Sequence, residues 1–133
     1  MTLLSVENLR VRFPTERCEV EVVKGLTFEL GRERLGIVGE SGSGKSMTGR
    51  ALMGLVPRPG RVTAGRMVFD GIDLCALPES GFRSLRGARM SMVMQDPKFS
   101  LNPVMRIGEQ IGEALAFHRR LSARDRRAKV LEV

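Results

Sequence analysis

A glycine-rich segment at residues 39–46, with the sequence GESGSGKS, constrains this chain more than any other feature. It fits the pattern G-x-x-x-x-G-K-[ST], in which a loop between a strand and a helix surrounds the phosphates of a nucleotide. The short apolar run at residues 34–38 predicts a buried strand before the loop, and residues 46–55 predict a helix after it. The segment therefore predicts an α/β nucleotide-binding fold.

Each part of the loop supplies a group that a triphosphate requires. The glycines let the backbone turn tightly, so that successive N–H groups point inward, and the following helix adds its free N-terminal N–H groups. Lys45 brings a positive charge to the β- and γ-phosphates, and Ser46 offers Mg²⁺ an oxygen ligand. The predicted nucleotide-binding residues of the loop are Gly39, Glu40, Ser41, Gly42, Ser43, Gly44, Lys45, Ser46 and Met47. The alternative is a Gly/Ser-rich turn that ends in Lys-Ser by coincidence, and the flanking strand and helix argue against it.

Composition limits the class of protein further. A chain of 133 residues with 42% hydrophobic residues is globular and forms one domain or part of one. No apolar run approaches the ~18 residues of a membrane-spanning helix. Cys18 and Cys75 lie far apart without metal-binding spacing, so we expect two reduced thiols. The single histidine, His118, cannot build a metal site and is expected at the surface.

The formal net charge of +7 raises the question of an anionic partner. Basic residues are densest over residues 118–129, but the chain has no Trp or Tyr to stack on bases. We interpret the cluster as the solvated face of a C-terminal helix. A nucleic-acid patch, or attraction to an anionic membrane surface or an acidic partner, is the alternative.

Hydrophobic patterning predicts the other elements. Antiparallel strand pairs are expected before the loop, from strands at residues 3–13, 19–23 and 26–30. Residues 65–69 and 72–74 predict a hairpin around the turn signal Asp70-Gly71. Residues 91–94 predict a second buried strand. Helices are predicted at residues 78–86 and 107–119, and a last one begins after the N-cap candidate Ser122.

A second motif, Met-Val-Met-Gln-Asp-Pro at residues 92–97, narrows the class. Together with the glycine loop it resembles the ATP-binding subunit of an ABC transporter, in which this glutamine opens the Q-loop. Residues 95–111 resemble the oligopeptide, dipeptide and nickel importer branch in particular. The resemblance implies a P-loop NTPase core of the ABC type, with an N-terminal antiparallel β-subdomain and a partial parallel sheet. The β-subdomain and P-loop core would occupy about residues 1–95, and the Q-loop and start of a helical subdomain about residues 95–133.

The resemblance also implies roles for individual residues. Lys45 would hold the phosphates of ATP, and Ser46 would bind Mg²⁺. Gln95 would reach Mg²⁺ or the attacking water, so the resemblance makes Lys45 and Gln95 the catalytic residues. Phe13 stands where the family places an aromatic residue that stacks on adenine, which suits the flat apolar face of Phe. The alternative for Phe13 is an ordinary hydrophobic residue at the end of a strand.

The implied partners are the transmembrane permease subunits of an importer and a second ATP-binding subunit, at the cytoplasmic face of the membrane. No specific nucleic acid is expected. Peptide and nickel importers look alike over these residues, so the solute stays open between them.

The family's other motifs are not found in these 133 residues: an LSGGQ-type signature, a strand ending in Asp-Glu, a D-loop and a switch histidine. We interpret the chain as the N-terminal half of an ATP-binding domain, which binds Mg–ATP without efficient hydrolysis. An open edge of the partial sheet would then favour a dimer, a domain swap or poor solubility. The alternatives are a nucleotide-binding module that never hydrolyses, or another P-loop enzyme such as a small kinase.

Overall fold

A computed structural model describes residues 2–95 and 101–133. The chain divides into two compact units, Met1–Arg83 and Ser84–Val133, called here the first and second units. The strands of the first unit are β1 Leu4–Pro14, β2 Glu19–Leu30, β3 Arg61–Thr63, β4 Arg66–Phe69 and β5 Ile72–Asp73. The helices in the described residues are α1 Lys45–Leu52, α2 Glu79–Leu85, α3 Ile107–His118 and α4 Ala123–Glu132.

An antiparallel sheet forms the centre of the first unit. Its strands lie in the order β2-β1-β4-β5, and β3 pairs with β1 as well. Val6, Leu9 and Val11 on β1 are fully buried and form the centre of the core. The predicted antiparallel pairing before the glycine loop is confirmed, with the two predicted strands at residues 19–30 joined into the single strand β2. Because β2 is at the end of this order, one of its backbone edges pairs with no strand of the sheet, and the glycine loop lies against that edge.

The β4–β5 hairpin was correctly predicted from its turn. Asp70 and Gly71 have φ angles of 45° and 79°, the left-handed pair that a two-residue hairpin turn requires. The strand β3 was not predicted, because its three residues carry no pattern of their own. It forms where Val62 pairs with Val11, a contact that depends on tertiary structure.

The two buried parallel strands predicted at residues 34–38 and 91–94 are wrong for this structure. Neither segment forms a strand, and Val38 and Val93 are 96% and 89% exposed. Parallel strands are stable only between neighbouring strands and under helices that cover both faces. The described residues supply no such neighbours to either segment, so apolar sequence alone does not produce a strand there.

The predicted helices form with small changes at their ends. Helix α1 is shorter than predicted and ends at Leu52, before the Pro57–Pro59 region. Ser122 caps α4 as predicted, since its Oγ accepts a hydrogen bond of 3.1 Å from the backbone N–H of Asp125. No residue of α4 is buried.

Two expectations about the surface are met. Both cysteines are free and exposed, and His118 is exposed. No helix in the described part of the chain is long and apolar enough to cross a membrane.

Candidate nucleotide-binding site

The glycine loop joins residues 34–38, which form no strand, to α1. Its end at Gly44 lies against the outer edge of β2. Gly44 is the N-cap of α1 and has a φ of 91°, which favours glycine. A Cβ on Gly44 would lie 2.6 Å from the backbone oxygen of Val22 on β2. The close approach of two backbones therefore fixes where the loop ends and the helix begins.

The ammonium group of Lys45 lies inside the loop. Its Nζ donates hydrogen bonds of 2.6 Å to the backbone oxygens of Gly39 and Glu40, and one of 3.3 Å to Oγ of Ser43. The positive charge thus points at the concave side of the loop, where phosphate oxygens would be stronger acceptors than carbonyl oxygens.

The first turn of α1 adds backbone donors to the loop. The N–H groups of Lys45 and Ser46 belong to the first turn of α1 and have no partner within the helix. Thr48 anchors the turn, because it is buried and its Oγ1 donates 3.0 Å to the oxygen of Gly44. A helix N-terminus with free N–H groups and a lysine beside it attracts an anion.

The donor set fits a polyphosphate with Mg²⁺. The loop offers backbone N–H groups and a lysine to phosphate, and the exposed hydroxyl of Ser46 suits a hard cation that prefers oxygen ligands. Residues 39–43 are exposed, so a ligand has direct access to the loop. Among the described residues no group of three or more His, Cys, Asp or Glu side chains is placed to hold a metal ion.

A cavity of about 430 Å³ lies between the loop and β2, and we call it the β2 cavity. Its lining residues come from both elements: Val20, Glu21, Val22, Lys24, Gly42 and Ser43. The cavity combines apolar side chains with one residue of each charge. Its volume is within the range of small-molecule sites, and it lies beside the phosphate loop, so it can hold the rest of a nucleotide.

Two arginines of β1 hold Glu21. Its Oε1 accepts hydrogen bonds of 2.8 Å from Nη1 of Arg10 and 3.0 Å from Nε of Arg12. These charge-assisted bonds hold the pKa of the Glu21 carboxyl below its ordinary value, and the bond from Arg10 has the larger effect. Glu21 is therefore a fixed negative charge at the wall of the β2 cavity.

Phe13 occupies the neighbourhood of this cavity. It pairs across the sheet with Val20, and its half-buried ring lies beside Gly60, where a Cβ would meet ring atom Cε1 at 2.6 Å. The ring thus has a packing role within the first unit. Its predicted stacking on adenine stays a prediction.

The predicted loop residues 39–47 all lie in the first unit, and their predicted role in nucleotide binding stays a prediction. Gln95 is exposed and belongs to the second unit, and its predicted role also stays a prediction. The Asp96-Pro97 step that follows it lies outside the described residues.

Sequence reasoning missed the β2 residues of the site. A partial signal for them exists in the charge pattern of the hairpin, since Arg12 pairs directly with Glu21 and Arg10 reaches the same carboxylate diagonally, although its direct partner is Lys24. Opposite charges across an antiparallel pair indicate their register. Nothing in that pattern indicates that the loop, far along the chain, returns to the same strand.

A glycine loop with an inward lysine at a helix N-terminus defines the class of P-loop nucleotide-binding proteins. The sequence pattern of the family described as "ABC transporter" matches residues 23–132, which is most of the chain. The chain therefore belongs to the ABC transporter family.

Curated relatives agree with that assignment. The chain is 45% identical over 133 residues to the dipeptide transport ATP-binding protein DppD of Bacillus subtilis (strain 168), covering 98% of this chain and 40% of that protein. It is 50% identical over 121 residues to the oligopeptide transport ATP-binding protein OppD of Escherichia coli (strain K12), covering 90% of this chain and 36% of that protein. The chain thus spans about two fifths of the length of these relatives.

A solved structure has the same fold. The ATP-binding cassette MJ0796, in a dimeric post-hydrolysis state bound to ADP and Pi, superposes with a TM-score of 0.77 at 24% identity. The superposition covers 97% of this chain and 54% of MJ0796. The predicted fold class, an α/β core of the ABC type with an antiparallel subdomain, is confirmed at that level.

Proposed function

We propose that this chain binds Mg–ATP at residues 39–46, as part of a subunit that hydrolyses ATP to drive the import of peptides. The observation that carries the proposal is the position of Lys45, whose Nζ lies on the concave side of the loop within 2.6 Å of two backbone oxygens. Membership in the ABC transporter family supports the choice of ATP as the nucleotide.

The residues of the loop would share the work of binding. Lys45 would turn from the carbonyls of Gly39 and Glu40 to phosphate oxygens, which carry more negative charge. The N–H groups at the start of α1 would hold further oxygens, and Ser46 would supply a ligand to the metal. When bound, Mg²⁺ neutralises charge on the phosphates.

The nucleoside would occupy the β2 cavity. Val20 and Val22 supply apolar contact there, and Phe13 pairs with Val20 on the neighbouring strand. This arrangement supports the stacking of adenine on Phe13, as the family resemblance implies. Gln95 would complete the site at the metal or the attacking water.

The proposed substrate of transport is a peptide. The two relatives described above are named for dipeptide and oligopeptide transport, which favours peptides over nickel. Family membership likewise supports permease subunits and a second ATP-binding subunit as partners, with the protein peripheral at the cytoplasmic face of the membrane.

Hydrolysis by these 133 residues alone is expected to stay near background. Phosphoryl transfer depends on a positioned water and on charge stabilisation, and the sequence contains no strand ending in Asp-Glu to polarise that water. A turnover of roughly 1 s⁻¹ or more, the lower end for kinases, would contradict this expectation.

Calorimetric titration with Mg–ATP tests the phosphate site. Lys45→Ala should weaken binding at least about ten-fold, because a charge-assisted contact to phosphate is lost. Lys129→Ala is the matched control, since Lys129 is ion-paired to Glu132 on α4 and lies in the second unit. Equal binding by the Lys45 variant and the parent chain would reject the proposed site.

A further inference from the structure

Glu21 is bound through only one of its two carboxylate oxygens. Arg10 and Arg12 both donate to Oε1, at 2.8 and 3.0 Å. The second oxygen, Oε2, accepts no hydrogen bond from the described residues. The two guanidinium groups therefore fix the orientation of the carboxylate and leave one full acceptor available.

Glu21 is one of the residues that line the cavity beside the phosphate loop. Glu21 and Lys24 lie on β2, while Gly42 and Ser43 of the loop line the same space. A ligand held by the loop therefore extends past Glu21 if it fills the cavity. The side chain of Glu21 is about one quarter exposed, so it is accessible without lying in bulk solvent.

The chemistry of a carboxylate selects what it can meet there. An ionised carboxylate only accepts hydrogen bonds, so its partner in a ligand must be a donor. The part of a nucleotide next to the phosphates is its sugar, and a ribose presents two neighbouring hydroxyl groups as donors. A carboxylate on a ribose hydroxyl is a known way of recognising nucleotides in other folds.

We propose that Glu21 determines the sugar specificity of the site, by accepting hydrogen bonds from the ribose hydroxyls of the bound nucleotide. This inference rests on the proposed binding of ATP at residues 39–46 and adds a preference for ribonucleotides over deoxyribonucleotides. Glu21 is a specificity residue, and it takes no part in phosphoryl transfer.

The surrounding charges suit this role. Arg10, Arg12 and Lys24 are the cations around Glu21, and Glu19 lies 3.9 Å from Arg12 as a second carboxylate on the same strand. The arginines keep Glu21 ionised and so available as an acceptor. A deoxynucleotide would exclude water from Oε2 and offer it no hydroxyl in return. The free energy lost by this unpaired oxygen is the reason that we expect weaker binding of the deoxynucleotide.

Titrations with four ligands test the inference on the whole 133-residue chain. The ligands are ATP, 2′-deoxy-ATP, 3′-deoxy-ATP and inorganic triphosphate, each with Mg²⁺. We expect ATP to bind roughly three- to ten-fold more tightly than at least one of the two deoxynucleotides, the range for a partly exposed hydrogen bond to a charged group. Inorganic triphosphate reports on the phosphate loop alone.

Glu21→Gln should bring the affinities of ATP and the deoxynucleotides together. The readout is the ratio of these affinities, because loss of the carboxylate also leaves Arg10 and Arg12 without a counter-charge and so affects every anionic ligand. Glu19→Gln is the matched control, because it makes the same chemical change two residues away at a carboxylate that does not line the cavity. It should retain the preference for ATP.

The outcomes separate the two proposals. Binding of triphosphate and ATP with equal affinities for ATP and both deoxynucleotides would overturn the role of Glu21 and leave the phosphate site standing. Failure of every ligand to bind would overturn both. Should Glu21→Gln fail to fold, equal affinities for ATP and both deoxynucleotides on the unchanged chain would still overturn the role of Glu21.

Discussion

Gly44 shows how one residue ties the loop to the sheet. Its φ of 91° is unfavourable for any residue with a Cβ, and the space where a Cβ would stand is already filled by the backbone oxygen of Val22 at 2.6 Å. A flexible side chain could move away from such a contact, but a strand backbone cannot. By comparison, a Cβ added at Gly36 would meet no atom within 4 Å.

Gly44→Ala should therefore destabilise the loop by about 1–3 kcal/mol, the cost of a strained backbone conformation with a backbone clash. We expect Mg–ATP affinity, measured by calorimetry, to fall accordingly. Gly36→Ala is the control, since a Cβ there meets nothing within 4 Å, and it should bind like the parent chain. Equal affinity of the two variants would show that the approach of β2 does not shape the site.

The pH dependence of stability should carry a contribution from Glu21. Because Arg10 and Arg12 lower the pKa of Glu21, its ionised form stabilises the fold above the pKa of the unfolded state. That contribution is lost as the pH falls through the lowered pKa of the folded state. In urea unfolding from about pH 7 to about pH 3, the free energy of unfolding should fall less steeply for Glu21→Gln than for the parent.

Glu16→Gln serves as the control for this titration, because Glu16 forms no ion pair with the described residues. Its unfolding should follow the parent at every pH. Parallel curves for the parent and Glu21→Gln would mean that the arginine pair contributes no measurable pH dependence.

Among the elements, α3 illustrates a cap that reaches beyond its own helix. The side chain of Gln110 accepts a hydrogen bond of 2.9 Å from the N–H of Asn102, and its Nε2 donates to the oxygens of Asn102 and Met105 at 2.9 and 3.1 Å. One amide thus satisfies three backbone groups of the segment that leads into the helix. Gln is uncommon in such a role, so helix-end patterns do not indicate it.

Gln110→Ala should destabilise this segment by about 1–2 kcal/mol, because its backbone groups lose partners that water replaces only in part. Hydrogen exchange at the amide of Asn102 should become faster. Glu113→Ala, on the same helix, removes a side chain without a hydrogen bond among the described residues and should leave that exchange unchanged. An unchanged rate at Asn102 in the Gln110 variant would refute the capping role.

For the whole molecule, the apolar segments at residues 34–38 and 91–94 are the main departure from a fully buried core. Leu35 and Ile37 are about half exposed, and Val38 and Val93 almost fully. Apolar segments that can form strands, when exposed, tend to pair with another chain. The expected dimer, domain swap or low solubility of these 133 residues stays a prediction, and its cause would lie in these segments.

Val93→Lys should reduce self-association measured by light scattering at increasing concentration, since a charge there opposes strand pairing. Val104→Lys is a close match as a control, because Val104 is 88% exposed and Val93 is 89% exposed. It lies outside the two segments and should associate like the parent. A parent chain that remains monomeric at high concentration would contradict the prediction itself.

The sequence by itself determined the features that depend on neighbours along the chain. The glycine loop with Lys45 and Ser46, the Asp70-Gly71 turn and the cap at Ser122 were each predicted from a few adjacent residues, because short-range sterics and hydrogen bonds fix them. The family resemblance could be identified from the sequence for the same reason, since it rests on two local motifs, at residues 39–46 and 92–97.

Only the tertiary structure decided the rest. The contact of Gly44 with Val22, the pairing of β3 with β1, and the β2 cavity with Glu21 at its wall join residues that lie far apart in sequence. Tertiary structure also decided that residues 34–38 form no strand, because a parallel strand forms only where neighbouring strands are present. Local pattern specifies which element a segment can form, and long-range packing specifies whether it forms and what it meets.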